Sequence, residues 1–312
     1  MPPQVNSVIS HVHLQIFVSV AEQRSFSRAA SELHLTQPAI TLHIQALERE
    51  VGARLLERTN RFVRLTKAGE IVYDHATRIL SIQVQMRRCL DDLIHEASGP
   101  LSIGASFTFG EYALPHLLAT FRALHPQVRP TAMIANTGQI AELVAVNRLD
   151  VGLVEGEVRL PSVLAEPVSE DALVVVAPPD FSPTSPSLLA ELRPADLASE
   201  QWIVRELGSG TRAASDHFFT QAGLTVDSAL EFGSTQMIKE AVEAGLGLAL
   251  LSRWTIRKEL ALGTLRELPL VGLPITRQLS MLTPATTFRT KALDEFVAFM
   301  RGSAHDQLQR LS

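Results

Sequence analysis

Three side chains able to read a nucleobase edge recur at four-residue intervals near the start of this chain: Gln37, Thr41 and Gln45. Amides and hydroxyls both donate and accept hydrogen bonds, which suits the mixed pattern of a DNA major groove. A spacing of four puts them on one face of a helix. Further along, hydroxyls and amides sit where strand-like runs give way to helical ones: Ser106 and Thr108, Asn136 and Thr137, Ser209 and Thr211, and Ser234 beside Thr235. A helix start offers unpaired N–H groups and a partial positive charge, a setting for an anion. Arg205 or Arg212 adds charge there, and Glu155 ends a strand at the same border. Singly, each of these polar side chains reads as a helix cap. As a set at corresponding strand ends they mark a ligand site, because open α/β sheets bind ligands there.

The reading face needs a helix to carry it. Ile40, Ile44, Leu47 and Val51 follow steps of four, three and four and give that helix an apolar back. Thr36 caps its start and Pro38 occupies the first turn, where a missing N–H costs little. Ser25 caps the preceding helix, whose Phe26, Ala29, Ala30 and Leu33 form a core stripe. Leu55–Arg58 and Val63–Thr66 then predict a small β-wing. Periodicity alone equally suits an ordinary helical hairpin with a polar outer face. Residues 1–67 hold eight basic against five acidic residues, a local +3 in a chain of net −5. Arg58, Arg61 and Arg64 bracket the wing as phosphate contacts; their plainer reading is solvated hairpin arginines.

The residues themselves go further. Phe17 to Glu22, Ser25-Phe26-Ser27, Ala29-Ala30, Leu33, Thr36 to Thr41, Leu47-Glu48, Gly52, Leu55 to Arg58 and Leu65 to Gly69 resemble the winged helix-turn-helix of LysR-type transcriptional regulators. The resemblance implies Gln37, Pro38 and Thr41 toward bases and Ser27 and Thr36 near phosphates. Arg24, Arg28 and Gln45 join the DNA-binding set. Two departures stand out: a ten-residue extension before His11, and Leu42 and Gln45 where relatives often carry charge. They predict a weaker phosphate grip by this helix and a larger contribution from the wing.

Residues 67–97 predict one long proline-free helix with a heptad seam of Val72, Ala76, Ile79, Gln83, Met86, Leu90 and Leu93. Thirty-one residues would span roughly 46 Å at about 1.5 Å each. Such a seam asks for a second copy; the alternative is a core helix of the next domain. Ser98-Gly99-Pro100 closes it. LysR-type proteins dimerise through a helix of this kind.

From Leu101 onward strands and helices alternate, which predicts parallel sheets with helical crossovers. Strands are expected at 101–105, 128–135, 151–154, 173–177 and 202–205, and helices at 112–124, 138–147, 211–222 and 236–244. The phrases starting at Ile103, Leu149, Arg205 and Glu243 resemble the LysR effector domain, itself similar to type-2 periplasmic binding proteins. They look closest to the branch of sulfur-assimilation and carbon-fixation operon regulators. The implied fold class is an α/β effector domain of two Rossmann-like lobes, an N-terminal α winged helix-turn-helix and a long linker helix. The expected divisions are 1–66 for DNA binding, 67–98 for the linker, 99–303 for the effector domain and 304–312 as a tail. Lobe I takes 100–170 and 273–302, and lobe II takes 171–272.

Other chemistry lacks its residues. Gly208 to Arg212 has neither the lysine nor the spacing of a P-loop, and Gly245-Leu-Gly-Leu lacks a third glycine and reads as a helix C-cap and strand entry. There is no His-Glu-x-x-His, no cysteine pair and no Gly-x-Ser-x-Gly. Asp91-Asp92 and Glu155/Glu157 read as solvated acids, with Glu155 also a candidate border of the cleft, and Cys89 as an idle thiol or a redox sensor. The start lacks a signal-peptide pattern and no long apolar run appears, so a cytoplasmic protein is expected. A solute-binding protein would explain only the second half of the chain, and an enzyme has no catalytic constellation here. The favoured reading is a regulator without metal or cofactor. Its expected partners are promoter DNA with an interrupted palindrome, a small anionic metabolite, RNA polymerase, and its own copies as a homodimer or homotetramer.

Overall fold

The computed structural model describes residues 9–58, 63–92, 97–183, 192–226, 229–286, 288–302, 304 and 308. They form two compact units divided between Leu90 and Asp91. Arg61, Leu93, most of the N-terminal extension and most of the C-terminal tail lie outside the described residues.

The first unit packs three helices, α1 (His11–Gln23), α2 (Phe26–Glu32) and α3 (Gln37–Val51), against a two-stranded wing. Strands β1 (Leu56–Arg58) and β2 (Val63–Leu65) pair antiparallel, with Glu57 opposite Arg64. Phe17, Val20, Ile40, Ile44, Leu47 and Leu55 are fully buried between them. Helix α4 (Lys67–Asp91) follows the wing. Its seam divides in two. Ala76 is buried, and Val72 and Tyr73 pack beside it, in the core of this unit. Ile79, Ile82, Met86 and Leu90 are exposed. The seam expected from 72 to 93 is therefore corrected: its first two positions are consumed by their own headpiece, because the opening turns of α4 run along the helical core. The helix is assigned to Asp91, short of the expected 97, where residues 93–96 fall outside the described set.

The second unit opens with β3 (Gly99–Ala105), α5 (Phe107–Tyr112), α6 (Leu114–Leu124), β4 (Val128–Ile134), α7 (Thr137–Ala145) and β5 (Val151–Glu155). A long strand β6 (Val163–Ala177) leads to β7 (Ile203–Arg205), α8 (Gly210–Ala222), β8 (Leu230–Phe232), α9 (Thr235–Glu243), β9 (Ala249–Ser252) and α10 (Arg253–Leu262). Then β10 (Arg266–Glu267), β11 (Ile275–Pro284) and α11 (Lys291–Arg301) close the chain. Strand β3 lies parallel to β4 and β5, as the alternation predicts. The crossover strands β6 and β11 run antiparallel, β11 also against β5, and β6 also carries β9 and β10. Strand β7 pairs parallel with β8.

Apolar cores lie on either side of these crossovers. One holds Ile103, Phe121, Leu153 and Phe296; the other holds Val175, Trp202, Phe218 and Leu250. Trp254 at the start of α10 packs edge-on to Phe109 in the first core, while Ile256 two residues on serves lobe II.

Three expectations change. The helix placed at 112–124 is two helices broken at Ala113, because Pro115 cannot donate to the preceding turn. The strand placed at 173–177 starts ten residues earlier, at Val163. Its Pro167 and charged Glu166, Glu170 and Asp171 hide the pattern, and the register shifts by a bulge near Val168. Asp92 is more than a solvated acid: its carboxylate accepts the Lys291 N–H at 2.7 Å.

Candidate DNA-reading face and interlobe site

The reading helix α3 starts as its residues dictate. Thr36 accepts the Ala39 N–H at 3.4 Å and Pro38 sits in the first turn. Ser25 caps α2 through the Arg28 N–H. With Ile40, Ile44 and Leu47 turned inward, Gln37 and Gln45 are exposed and Thr41 is half-buried. Ser27 donates to Gln37 Oε1 at 3.2 Å, which holds the carbonyl end of that amide and leaves its Nε2 donors for a base. Leu35 and Leu42 are exposed beside them, apolar surface suited to a thymine methyl.

The arginines are less uniform. Arg24 is exposed, in a left-handed conformation at the end of α1. The guanidinium of Arg28 turns back onto the Gln23 carbonyl and caps α1. Arg58 ends β1, and Arg64 is exposed on β2 across from Glu57. Sequence reasoning missed Glu48. Its carboxylate accepts the N–H groups of Leu55 and Leu56 at 2.9 and 3.3 Å and so fixes the wing to the reading helix. Thr66 adds a second tie, donating to the Arg54 carbonyl at 2.7 Å and accepting the Gly69 N–H at 3.0 Å. A Cβ on Gly69 would lie 2.0 Å from the Leu55 carbonyl oxygen, so the glycine is required by close approach.

In the second unit the candidates meet where α5 and α7 face α8 and α9. Most are already engaged. Asn136, Ser209 and Ser234 cap α7, α8 and α9. Ser106 precedes α5 but makes no side-chain cap; it donates to the Leu153 carbonyl at 3.2 Å. The Glu155 carboxylate accepts the Phe109 N–H at 3.0 Å, so the start of α5 already holds an anion of the protein's own. Thr137 donates to the Glu155 carbonyl at 3.1 Å.

The lobes touch through glycines. Gly138 N–H donates to the Gly208 carbonyl at 3.1 Å. A Cβ on Gly210 would lie 2.3 Å from the Glu155 carbonyl oxygen, so only glycine fits there. This glycine run therefore serves close backbone approach between lobes. Beside the contact, a cavity of about 440 Å³ is bordered by Thr137, Gly138, Glu155, Gly208, Ser209 and Arg212.

Two buried arginines organise the junction. Arg277 on β11 escaped the sequence reading, because a lone arginine in a strand carries no motif. It donates to Asp171 from Nε and Nη2 at 2.8 and 2.7 Å, to Thr211 Oγ1 at 2.9 Å and to Thr108 Oγ1 at 3.1 Å. One guanidinium thus holds a hydroxyl from each lobe. Asp171 also accepts from Ser252 at 2.7 Å. Arg205, by contrast, forks onto its own neighbour: Nε and Nη2 reach the two Glu206 oxygens at 2.7 and 2.9 Å. Its Nη1 donates to Thr235 at 3.2 Å, and its plane lies 4.3 Å over the Phe107 ring from lobe I. Asn136 Nδ2 reaches Glu206 at 3.4 Å across the junction. Burial raises the Glu206 pKa, but the Arg205 hydrogen bonds and charge outweigh it and hold the carboxyl below its ordinary value. Lys239 is buried too; burial lowers its pKa, and the bonds to Glu259 and Tyr112 outweigh that and raise it. Among the described residues no cluster of His, Cys, Asp or Glu could hold a metal ion, and no helix is long and apolar enough to cross a membrane.

Known proteins share both units. Residues 11–70 match the model described as the bacterial regulatory helix-turn-helix protein, lysR family, and residues 95–304 match the LysR substrate binding domain. The chain is 34% identical to the transcriptional regulator CysL of Bacillus subtilis over 95% of its own length and 98% of that protein. It is 35% identical to a RuBisCO operon transcriptional regulator of Acidithiobacillus ferrooxidans, over 91% of this chain and 92% of the other. Among solved structures, the regulatory domain of Synechocystis CcmR in complex with 2-PG aligns at TM-score 0.60 and 27% identity, covering 66% of this chain and 98% of that one.

Proposed function

The chain belongs to the LysR family of bacterial transcriptional regulators, and from that membership we propose that a small anionic metabolite, bound between its effector lobes, sets its action on promoter DNA. It is a DNA-binding regulator with an effector-binding domain and not an enzyme. One observation carries the anionic reading: two buried guanidiniums, Arg205 and Arg277, stand at the lobe junction among hydroxyls that start helices in both lobes. The CcmR domain solved with 2-PG supports small-molecule occupancy of such a domain. The contacting set is Ser106, Thr108, Asn136, Thr137, Glu155, Arg205, Ser209, Thr211 and Ser234, now joined by Arg277.

On the DNA side Gln37, Thr41 and Gln45 read bases, while Arg24, Ser27, Thr36 and Arg64 line the phosphates. The exposed Ile79, Ile82, Met86 and Leu90 of α4 join two copies, and effector-domain contacts build a tetramer. A two-fold assembly calls for an interrupted palindrome, and a response in transcription calls for RNA polymerase as partner. The ligand acts only through different affinities for two arrangements of the lobes. A thermal-shift screen of anionic metabolites, paired with footprinting on the DNA upstream of its own gene, tests the reading. The expected result is a rise in melting temperature with a changed footprint. A footprint that no anion alters would overturn the effector assignment. Aspartate at Ile79 and Met86 should yield monomers in sedimentation; an unchanged assembly removes the seam.

A further inference from the structure

The two arginines of the lobe junction are paired in opposite ways. Asp171, the partner of Arg277, is fully buried and also bonded to Ser252, so its carboxylate has no path to water. Glu206, the partner of Arg205, keeps 24% of its side chain exposed, while that of Arg205 keeps 2%. Glu206 can therefore swing outward without stranding its own charge. Arg205 cannot follow, held by Thr235 and stacked on Phe107. A buried guanidinium left without an anion is strongly destabilising, so the fork is occupied most of the time.

We propose that Glu206 is a built-in occupant of the Arg205 fork, and that the effector presents an oxyanion face of two coplanar oxygens that displaces it. The inference rests on the interlobe reading above and names the chemistry of that site. The fork matches a carboxylate or one face of a phosphate or sulfate group equally, two parallel N–H···O bonds in each case. Exchange of one anion for another preserves the charge balance of the junction. It also has a structural consequence. Glu206 is held across the junction by Asn136, so its departure removes one link between lobes. Occupancy of the fork is thereby coupled to lobe closure, and the strength of the Glu206 pair sets the concentration at which the effector acts.

Calorimetry on the full chain tests this with inorganic phosphate, sulfate and malonate as probes. A fork filled about nine-tenths of the time lowers apparent affinity by about tenfold. Glu206→Gln, which keeps the shape and removes the charge, should therefore tighten binding of the matching probe by about tenfold. Glu206→Asp, whose shorter arm spans the fork poorly, should tighten it less. Arg205→Lys should weaken it in either background. Which of the three probes responds separates carboxylate from phosphate or sulfate chemistry. Unchanged or weaker binding in both Glu206 variants, with Thr108→Val still weakening it, would overturn the displacement and keep the cleft. Binding that neither Thr108→Val nor Arg205→Lys alters, or no binding in any variant, would overturn the cleft reading and this inference with it.

Discussion

The candidate reading face of α3 and the lobe junction spend their polar side chains differently. Gln37 and Gln45 stand exposed, Gln37 held at its carbonyl end by Ser27, and their helix is fixed from behind by Ile40, Ile44 and Leu47. At the junction nearly every candidate already has a partner: Thr108 and Thr211 share Arg277, Arg205 grips Glu206, and Asn136, Ser209 and Ser234 cap helices. DNA meets a surface arranged in advance. On the proposed interlobe site, an effector replaces bonds the protein makes with itself, so its affinity reports a difference between two satisfied states.

Substitutions should separate the regions by size and by readout. The largest effect is expected for Arg277→Met, which leaves Asp171 charged and buried. It should cost about 3–5 kcal/mol in urea unfolding of the effector unit, with DNA affinity of the folded fraction retained. A loss below that range would mean the crossover pair is dispensable. Gly210→Ala forces a methyl against the Glu155 carbonyl and should cost about 1–3 kcal/mol. Faster hydrogen exchange at the Gly138 amide would report parted lobes, and unchanged exchange would contradict a role for the glycine contact in holding them together. Gln37→Ala should leave stability alone and weaken specific DNA binding by about 1–3 kcal/mol, sparing nonspecific binding. Equal loss of both modes would remove Gln37 from base readout.

Thr211→Val removes one acceptor from Arg277 and should cost about 1 kcal/mol, with weaker effector binding in calorimetry. Unchanged affinity would leave Thr211 a structural ligand of Arg277 alone. The smallest effect concerns acid. Because the folded state holds Glu206 below its ordinary pKa, its contribution is full above the unfolded value of about 4.3 and is lost as pH falls through the folded value. Protection of the Gly138 amide should therefore hold steady near neutrality and decline below about pH 4, and Glu206→Gln should flatten that decline.

Local signals made the first unit readable. Caps at Ser25 and Thr36, Pro38 and the stripe from Ile40 to Leu47 act within one or two helical turns, and each sits where its residue type predicts. The junction depends on residues far apart in sequence. Arg277 meets Thr108 across 169 positions, and no periodicity encodes such a meeting. Gly208-Ser-Gly was legible as a helix start, but its reason, backbone approach to Glu155, exists only once the lobes pack. The seam of α4 was readable as apolar, yet nothing in its spacing separates Val72 and Ala76, claimed by the headpiece, from Ile79 and Met86.

The Gly69 contact has a mechanical meaning. With its first turn pressed on the Leu55 carbonyl, tied through Thr66 and buried at Ala76, α4 cannot pivot at the wing. Headpiece and helix move as one lever. Its 25 residues make an arm of roughly 37 Å at about 1.5 Å per residue. A swing of about 6° moves the far end by about 4 Å, close to the base-pair rise of about 3.4 Å. With two copies paired through α4 as proposed, such a swing of one arm changes the reach between half-sites by about one base pair while the proposed reading residues keep their places on α3.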